Sequence, residues 1–357
     1  MRCNYIVKFK NRVYSFFHIP NSGVFFRTYE NRWNQPVCAA ADGTEFSAVS
    51  ITDRLCMLSN SCSGEISLAC GGEKGFAVKP LFSADAPDSF YTGFFSRKSS
   101  LFYSLGDTLF TKSFSNGVWS QQSPVDKFLP LPNFTPFCRH DISPEHAVIF
   151  YRRASQENLL GYREITPDRV GGFHAIFASA YPLYDFAPLT TKDGVFVLIA
   201  IKTMFSTRVI FRRKTGAEFS APIVLCEGQR IHSCLLFIFE ERLTAAFMSG
   251  DQLYLATSEN MGETFEQPVK YKRKFCRFPI KAAFITDTPN TVFFTREVYV
   301  DSENVSDVQL FPDIYEDFYP VLIPPQVQNI DKEENTEQFH DKFSGMSFEG
   351  FLDFPVE

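Results

Sequence analysis

Along this chain, short runs of bulky apolar residues alternate with clusters of Gly, Asp, Asn and Ser, and helical periodicity is nearly absent. That pattern predicts an all-β protein of short strands joined by tight turns. The runs group in fours. In one stretch the spacing predicts strands over Ala48–Ile51, Leu55–Ser59, Glu65–Ala69 and Phe76–Phe82, with turns at Asp53, Ser63-Gly64 and Gly71-Gly72. A later stretch follows the same grammar over Cys234–Phe239, Leu243–Met248, Leu253–Thr257 and Phe265–Tyr271. Seven such units begin near Asn4, Phe46, Phe90, Cys138, Phe186, His232 and Phe278. Some strands are apolar throughout, as in Val195–Ile201, which is expected when a sheet is covered on both faces.

A second pattern marks the end of several units: an aromatic residue a few positions before a proline. Phe265 runs to Pro268, Phe219 to Pro222 and Trp33 to Pro36, and the first two aromatics lie 46 residues apart. Four-stranded sheets of this length cannot bury both faces alone, whereas sheets set radially about an axis cover one another. The expectation is a β-propeller of four-stranded blades over residues 1–323. Seven blades is the count, with six as the alternative if the degenerate last unit is a cap. The first strand, Asn4 to Lys8, is placed to pair with the last blade and close the ring.

The best copy of the closing turn, Ser258-x-Asn260-x-Gly262-x-Thr264-Phe265, resembles the Asp-box (BNR) repeat of sialidase-like β-propellers, whose pattern is Ser-x-Asp-x-Gly-x-Thr-Trp. Asn260 stands in place of Asp and Phe265 in place of Trp. A short polar side chain at Asn260 can still bond turn backbone, Gly262 tolerates positive φ, and Phe265 can fill the space between blades. The resemblance implies a structural turn remote from any ligand. It also directs attention to what sialidases use: an arginine cluster, a Tyr–Glu nucleophile pair and an acidic proton donor. The Arg-Ile-Pro start of that family is absent, and the nearest pairing, Tyr299 with Glu297, reads as two residues sharing one strand face. No catalytic residue is assigned.

Arginines divide by repeat position. Arg12, Arg54 and Arg242 each follow the turn before a second strand and mark repeat grammar. Arg2, Arg139, Arg230 and Arg277 fall close to first strands, whose connections rim one mouth of a propeller channel. Arg139, Arg230 and Arg277, with His140, are therefore the candidate ligand-binding set for an anion. Asp141, His232 and Tyr184 lie on the same kind of connection. The alternative is solvated arginines paired with Asp42, Glu45, Asp88 or Asp185.

Bulk properties narrow the remaining classes. A net charge of −6 offers no general attraction to nucleic acid or an anionic membrane. No apolar run approaches a membrane span. Nine cysteines, an odd number without CxxC spacing, read as reduced structural thiols, and a cytoplasmic location is expected. Six scattered histidines give no metal-ligand spacing, and no phosphate loop or other cofactor motif appears. The basic run Lys270 to Arg277 reads as a link between units. Residues 324–357 form an acidic linker and a Phe-rich end, open to docking on a partner, packing on the ring, or staying unstructured. Three functional readings follow: a non-catalytic scaffold that binds a protein partner, with an anion pocket at the channel mouth; a glycan-directed protein, either a glycan binder or a diverged sialidase-like glycoside hydrolase; or a structural component of a larger assembly.

Overall fold

In the computed structural model, residues 4–323 are described apart from 11, 30–31, 52–53, 73–74, 84–89, 96–99, 116–117, 130–136, 144–145, 156–157, 167–168, 193, 229, 272–278, 287–292, 303–307 and 312–321. Arg2, Arg277, most of the basic run and the 324–357 tail lie outside the described residues. Every regular element described is a strand.

The strands fall into seven consecutive antiparallel units. Unit 1 holds β1 (Asn4–Phe9), β2 (Arg12–Ile19), β3 (Gly23–Tyr29) and β4 (Val37–Ala40); unit 2 holds β5 (Gly43–Ile51), β6 (Arg54–Ser61), β7 (Glu65–Gly72) and β8 (Gly75–Ser83). Unit 3 comprises β9 (Phe90–Phe95), β10 (Ser100–Leu105), β11 (Thr108–Ser115), β12 (Val118–Trp119) and β13 (Ser123–Lys127). Unit 4 is β14 (Phe137–Ser143), β15 (His146–Arg153), β16 (Asn158–Thr166) and β17 (Arg169–Ser179). Unit 5 is β18 (Leu183–Thr191), β19 (Gly194–Lys202), β20 (Thr207–Thr215), β21 (Glu218–Phe219) and β22 (Ile223–Gly228). Unit 6 is β23 (Ile231–Phe239), β24 (Arg242–Ser249), β25 (Gln252–Ser258) and β26 (Val269–Tyr271). Unit 7 has β27 (Ile280–Thr286), β29 (Glu297–Ser302) and β30 (Val308–Phe311). Between its first two strands, β28 (Phe293–Thr295) crosses to pair with β23, and β31 (Leu322–Ile323) returns to pair with β26.

Ring order is written in the packing. One apolar cluster joins units 2 and 3 through Leu58, Ile66, Leu101 and Tyr103. The next joins units 3 and 4 through Phe102, Leu109, Ala147 and Ile149. A third joins units 4 and 5 through Val148, Phe150, Val197 and Ile199. A fourth runs from unit 5 through 6 and 7 to Ile6 and Val13 of unit 1, and a fifth joins units 1 and 2. Period-2 alternation makes this possible. In the apolar run of β19, Phe196, Leu198 and Ala200 pack toward unit 6, while Val197, Ile199 and Ile201 pack toward unit 4. The chain is a β-propeller. β1 pairs in parallel with β27, so the first and last units share one sheet and close the ring as expected. Counted as hydrogen-bonded sheets there are six; counted as units there are seven.

The aromatic of each closing turn plugs the seam with the preceding unit. Phe265 meets Phe211 edge-on at 4.8 Å, Phe219 meets Tyr162 at 6.4 Å, and Trp119 meets Phe82 at 5.5 Å. In each case the next residue's N–H bonds a carbonyl of the third strand or its end: Ser120 to Ser113, Ser220 to Arg213, Glu266 to Thr257 and, after Trp33, Asn34 to Thr28. The turn itself is closed by Ser258 Oγ, which donates to Asn260 Oδ1 and accepts from Gly262 N, and by Thr264 N donating to Asn260 Oδ1. Gly262 sits at φ +86°, and a Cβ there would collide with the Phe211 ring. The strand expected over Phe265–Tyr271 is shorter, β26 alone, because Phe265 leaves the sheet edge to fill the seam.

The cysteines depart from expectation. The β6–β7 register sets Cys56 opposite Cys70, and the two form a cross-strand disulfide. Cys38, Cys62, Cys138, Cys226 and Cys234 are not disulfide-bonded.

Candidate functional site

First strands lie nearest the axis, and residues at equivalent steps of these strands meet there. Asp185 near the start of β18, Ser233 near the start of β23 and Lys281 near the start of β27 follow one another at 48-residue steps, with Lys281 96 residues beyond Asp185. Lys281 Nζ donates to both Asp185 carboxylate oxygens at 3.0 Å and to the Phe186 carbonyl at 2.9 Å. Glu297 Oε2 of β29 lies 3.2 Å from the same nitrogen. Asp185 also accepts from Phe186 N at 2.8 Å, Cys234 N at 2.9 Å and Ser233 Oγ at 3.2 Å, and Tyr299 OH donates to Ser233 Oγ. Cys138 of β14 reaches Glu297 from the far side of the ring.

This knot is sealed, the Lys281 and Asp185 side chains being 5% and 1% exposed. Burial works against the Lys281 charge, yet Asp185 and then Glu297 outweigh it and hold the ammonium well above its ordinary range. Burial raises Glu297 to about 7, with Lys281 pulling the other way. The thiol of Cys234 and the phenol of Tyr299 are both pushed well up, chiefly by burial. Glu297 and Tyr299, which share a strand face, thus do point into one place. Asp185, expected as a partner for loop arginines, is instead the counter-ion of a buried lysine.

A second cluster lies toward the opposite ends of the first strands. Arg139 Nη2 of β14 pairs with Asp141 at 3.3 Å, and Arg296, in the turn before β29, donates to the Asp141 carbonyl at 2.8 Å. Arg139 Nη1 and Arg296 Nε are buried with no hydrogen-bond partner among the described residues. Each orphan donor costs about 1–3 kcal/mol. Burial lowers the Arg296 affinity for its proton; Asp141 opposes that and Arg139 adds to it. The only carboxylate ion-paired to Arg139 or Arg296 among the described residues is Asp141, whose side chain is half exposed. His140 faces the other way, against Phe150 and Thr190 Oγ1 at 3.2 Å. Burial, then Arg296 and Arg139, hold it well below the ordinary imidazole range, so it is neutral at pH 7.

Of the candidate set, Arg139 and His140 are adjacent on β14 but point to different walls. Arg230 is exposed, just ahead of β23, at the end of the ring away from Arg296. Arg277 lies outside the described residues. Arg296 was not legible as a site residue, since it belongs to a turn between strands and meets β14 only across the ring.

No family model matches the sequence, and no curated protein matches it. Solved structures share its fold. A puromycin-hydrolyzing peptidase of Mycobacterium tuberculosis superposes with a TM-score of 0.51 at 10% identity, over 87% of this chain and 53% of that one. Hsv2 of Kluyveromyces lactis gives 0.47 at 14% identity, over 86% and 97%. A lectin of Aleuria aurantia, described as a six-bladed β-propeller with a novel fucose recognition mode, gives 0.42 at 10% identity, over 74% and 94%. At these identities the likeness concerns the fold alone.

Proposed function

We propose that this chain is a non-catalytic β-propeller that serves as an interaction scaffold and takes an anionic group of its partner between Arg139 and Arg296. One observation carries the reading: two guanidiniums meet at Asp141, each with an orphan donor among the described residues, and share that one half-exposed counter-carboxylate. An incoming carboxylate, sulfate or phosphate oxygen supplies what both lack, and forked donors suit such groups. The carboxylates that do gather, Asp185 and Glu297, are committed to Lys281 and closed to solvent, which supports binding rather than hydrolysis. In this reading residues Ser258 to Phe265 are an eroded Asp-box that serves the seam between units.

A second reading makes the anion part of an acidic glycan. The donor set favours it as much as a protein carboxylate, because a sugar acid presents the same planar oxygens. Calorimetric titration of the full chain with sodium sulfate, acetate, N-acetylneuraminate and a poly-glutamate peptide tests both. Binding that disappears in Arg139→Ala and Arg296→Ala supports the site, and preference for the sugar acid selects the glycan reading. No heat with any of the four anions, or undiminished binding in both variants, refutes it.

A further inference from the structure

Unit 5 carries an apolar feature that neither cluster uses. The β19–β20 turn exposes Met204 by 70% and Phe205 by 89%, and Tyr181 of the adjoining β17–β18 connection is 41% exposed. The turn is stiff. Thr203 N donates to Ser206 O at 2.7 Å, Ser206 N to Thr203 Oγ1 at 3.1 Å, and Ser206 Oγ to Glu227 Oε1 at 2.6 Å. Lys202 N bonds Pro182 O and so ties the Tyr181 connection to the same base. Thr207 Oγ1 donates to Gly228 O and accepts from Ile231 N, which fixes Arg230 beside the turn.

We propose that this turn, with Lys202 and Arg230, docks on an anionic lipid bilayer. Two large apolar side chains at a rigid convex tip gain from leaving water without an ordering cost. A stable protein partner covers about 800 Å² a side; one aromatic side chain buries about 150–250 Å², enough for Phe205 to enter a headgroup layer by itself. The local charge complements anionic lipid. Lys202 and Arg230 are exposed, Glu227 is paired with Arg208 at 2.9 Å, Asp251 of the next unit's turn is an opposing carboxylate among the described residues beside them, and His232 is held to the Arg230 carbonyl; Asp42 and Asp107 lie on the corresponding connections of other units. The chain's overall charge of −6 gives no such attraction; the patch does.

Co-sedimentation of the full chain with vesicles of phosphatidylcholine, alone or mixed with phosphatidylserine, tests this. The wild type should pellet with the mixed vesicles and far less with phosphatidylcholine alone. Met204→Ser with Phe205→Ser should lower partition by about tenfold or more, and Lys202→Gln with Arg230→Gln by roughly fivefold for each charge. Phe205→Trp should pellet as the wild type does and shift its fluorescence to the blue on mixed vesicles. Absence of pelleting, unchanged partition in the double serine variant, or a dimer in sedimentation velocity that this variant dissolves would overturn the proposal.

Discussion

The two polar clusters near the axis differ in one respect that separates structure from recognition. Around Lys281 the charges are matched: one ammonium, the Asp185 carboxylate against it, and a second acid whose proton is nearly balanced at neutral pH. Around Arg139 and Arg296 they are not, since two cations share Asp141 and keep buried donors without acceptors among the described residues. A matched, sealed network holds units 5, 6 and 7 in register. An unmatched one retains the capacity to take a ligand, because the missing acceptor is what a ligand brings.

The comparison is most severely tested at its matched end. Lys281→Met should cost about 3–5 kcal/mol in urea unfolding, because Asp185 loses its counter-ion while staying buried. Adding Asp185→Asn and Glu297→Gln should return more than half of that loss, since charges removed together leave little to solvate. A Lys281→Met protein as stable as the wild type would mean that the knot is ornamental.

How much of this could be read in the sequence follows from the range of each interaction. The strand grammar was legible because turns and alternation are local, and the pre-proline aromatics because each fills the same seam. The run Val195–Ile201 announced two covered faces, and both are covered. The Lys281 knot was hidden although its signal was present: Asp185, Ser233 and Lys281 recur at the step of the repeat, but three different polar residue types do not announce a shared contact across units. Arg296 had no such signal. Cys56 and Cys70 needed the hairpin register before their pairing could be seen.

Within the knot, pH distinguishes a balanced network from a rigid one. Glu297 is raised by burial to about 7, above its unfolded carboxylate range, so the folded state binds the extra proton. Its contribution is fully present below that range and is lost as pH rises through about 7. Glu297→Gln should therefore flatten the pH profile and, at pH 8, exceed the wild type by about 3 kcal/mol or less. At pH 4 the two should coincide. A wild-type profile that rises between pH 5 and 8 in step with no change in the variant would contradict the assignment.

The smallest stability effect belongs to the unmatched cluster, and its smallness is the point. Arg139→Gln removes a cation that opposes the charge of Arg296 and leaves Asp141, half exposed, to water. The lost ion pair and the relieved repulsion act in opposite directions, so the net change should stay within about 1 kcal/mol. Added sodium sulfate should then separate the two proteins: a bound anion raises the wild-type melting temperature by mass action and leaves Arg139→Gln unmoved beyond the general salting effect. A loss of several kcal/mol in Arg139→Gln, as large as that in Lys281→Met, would place Arg139 among the matched structural charges and dissolve the distinction between the clusters.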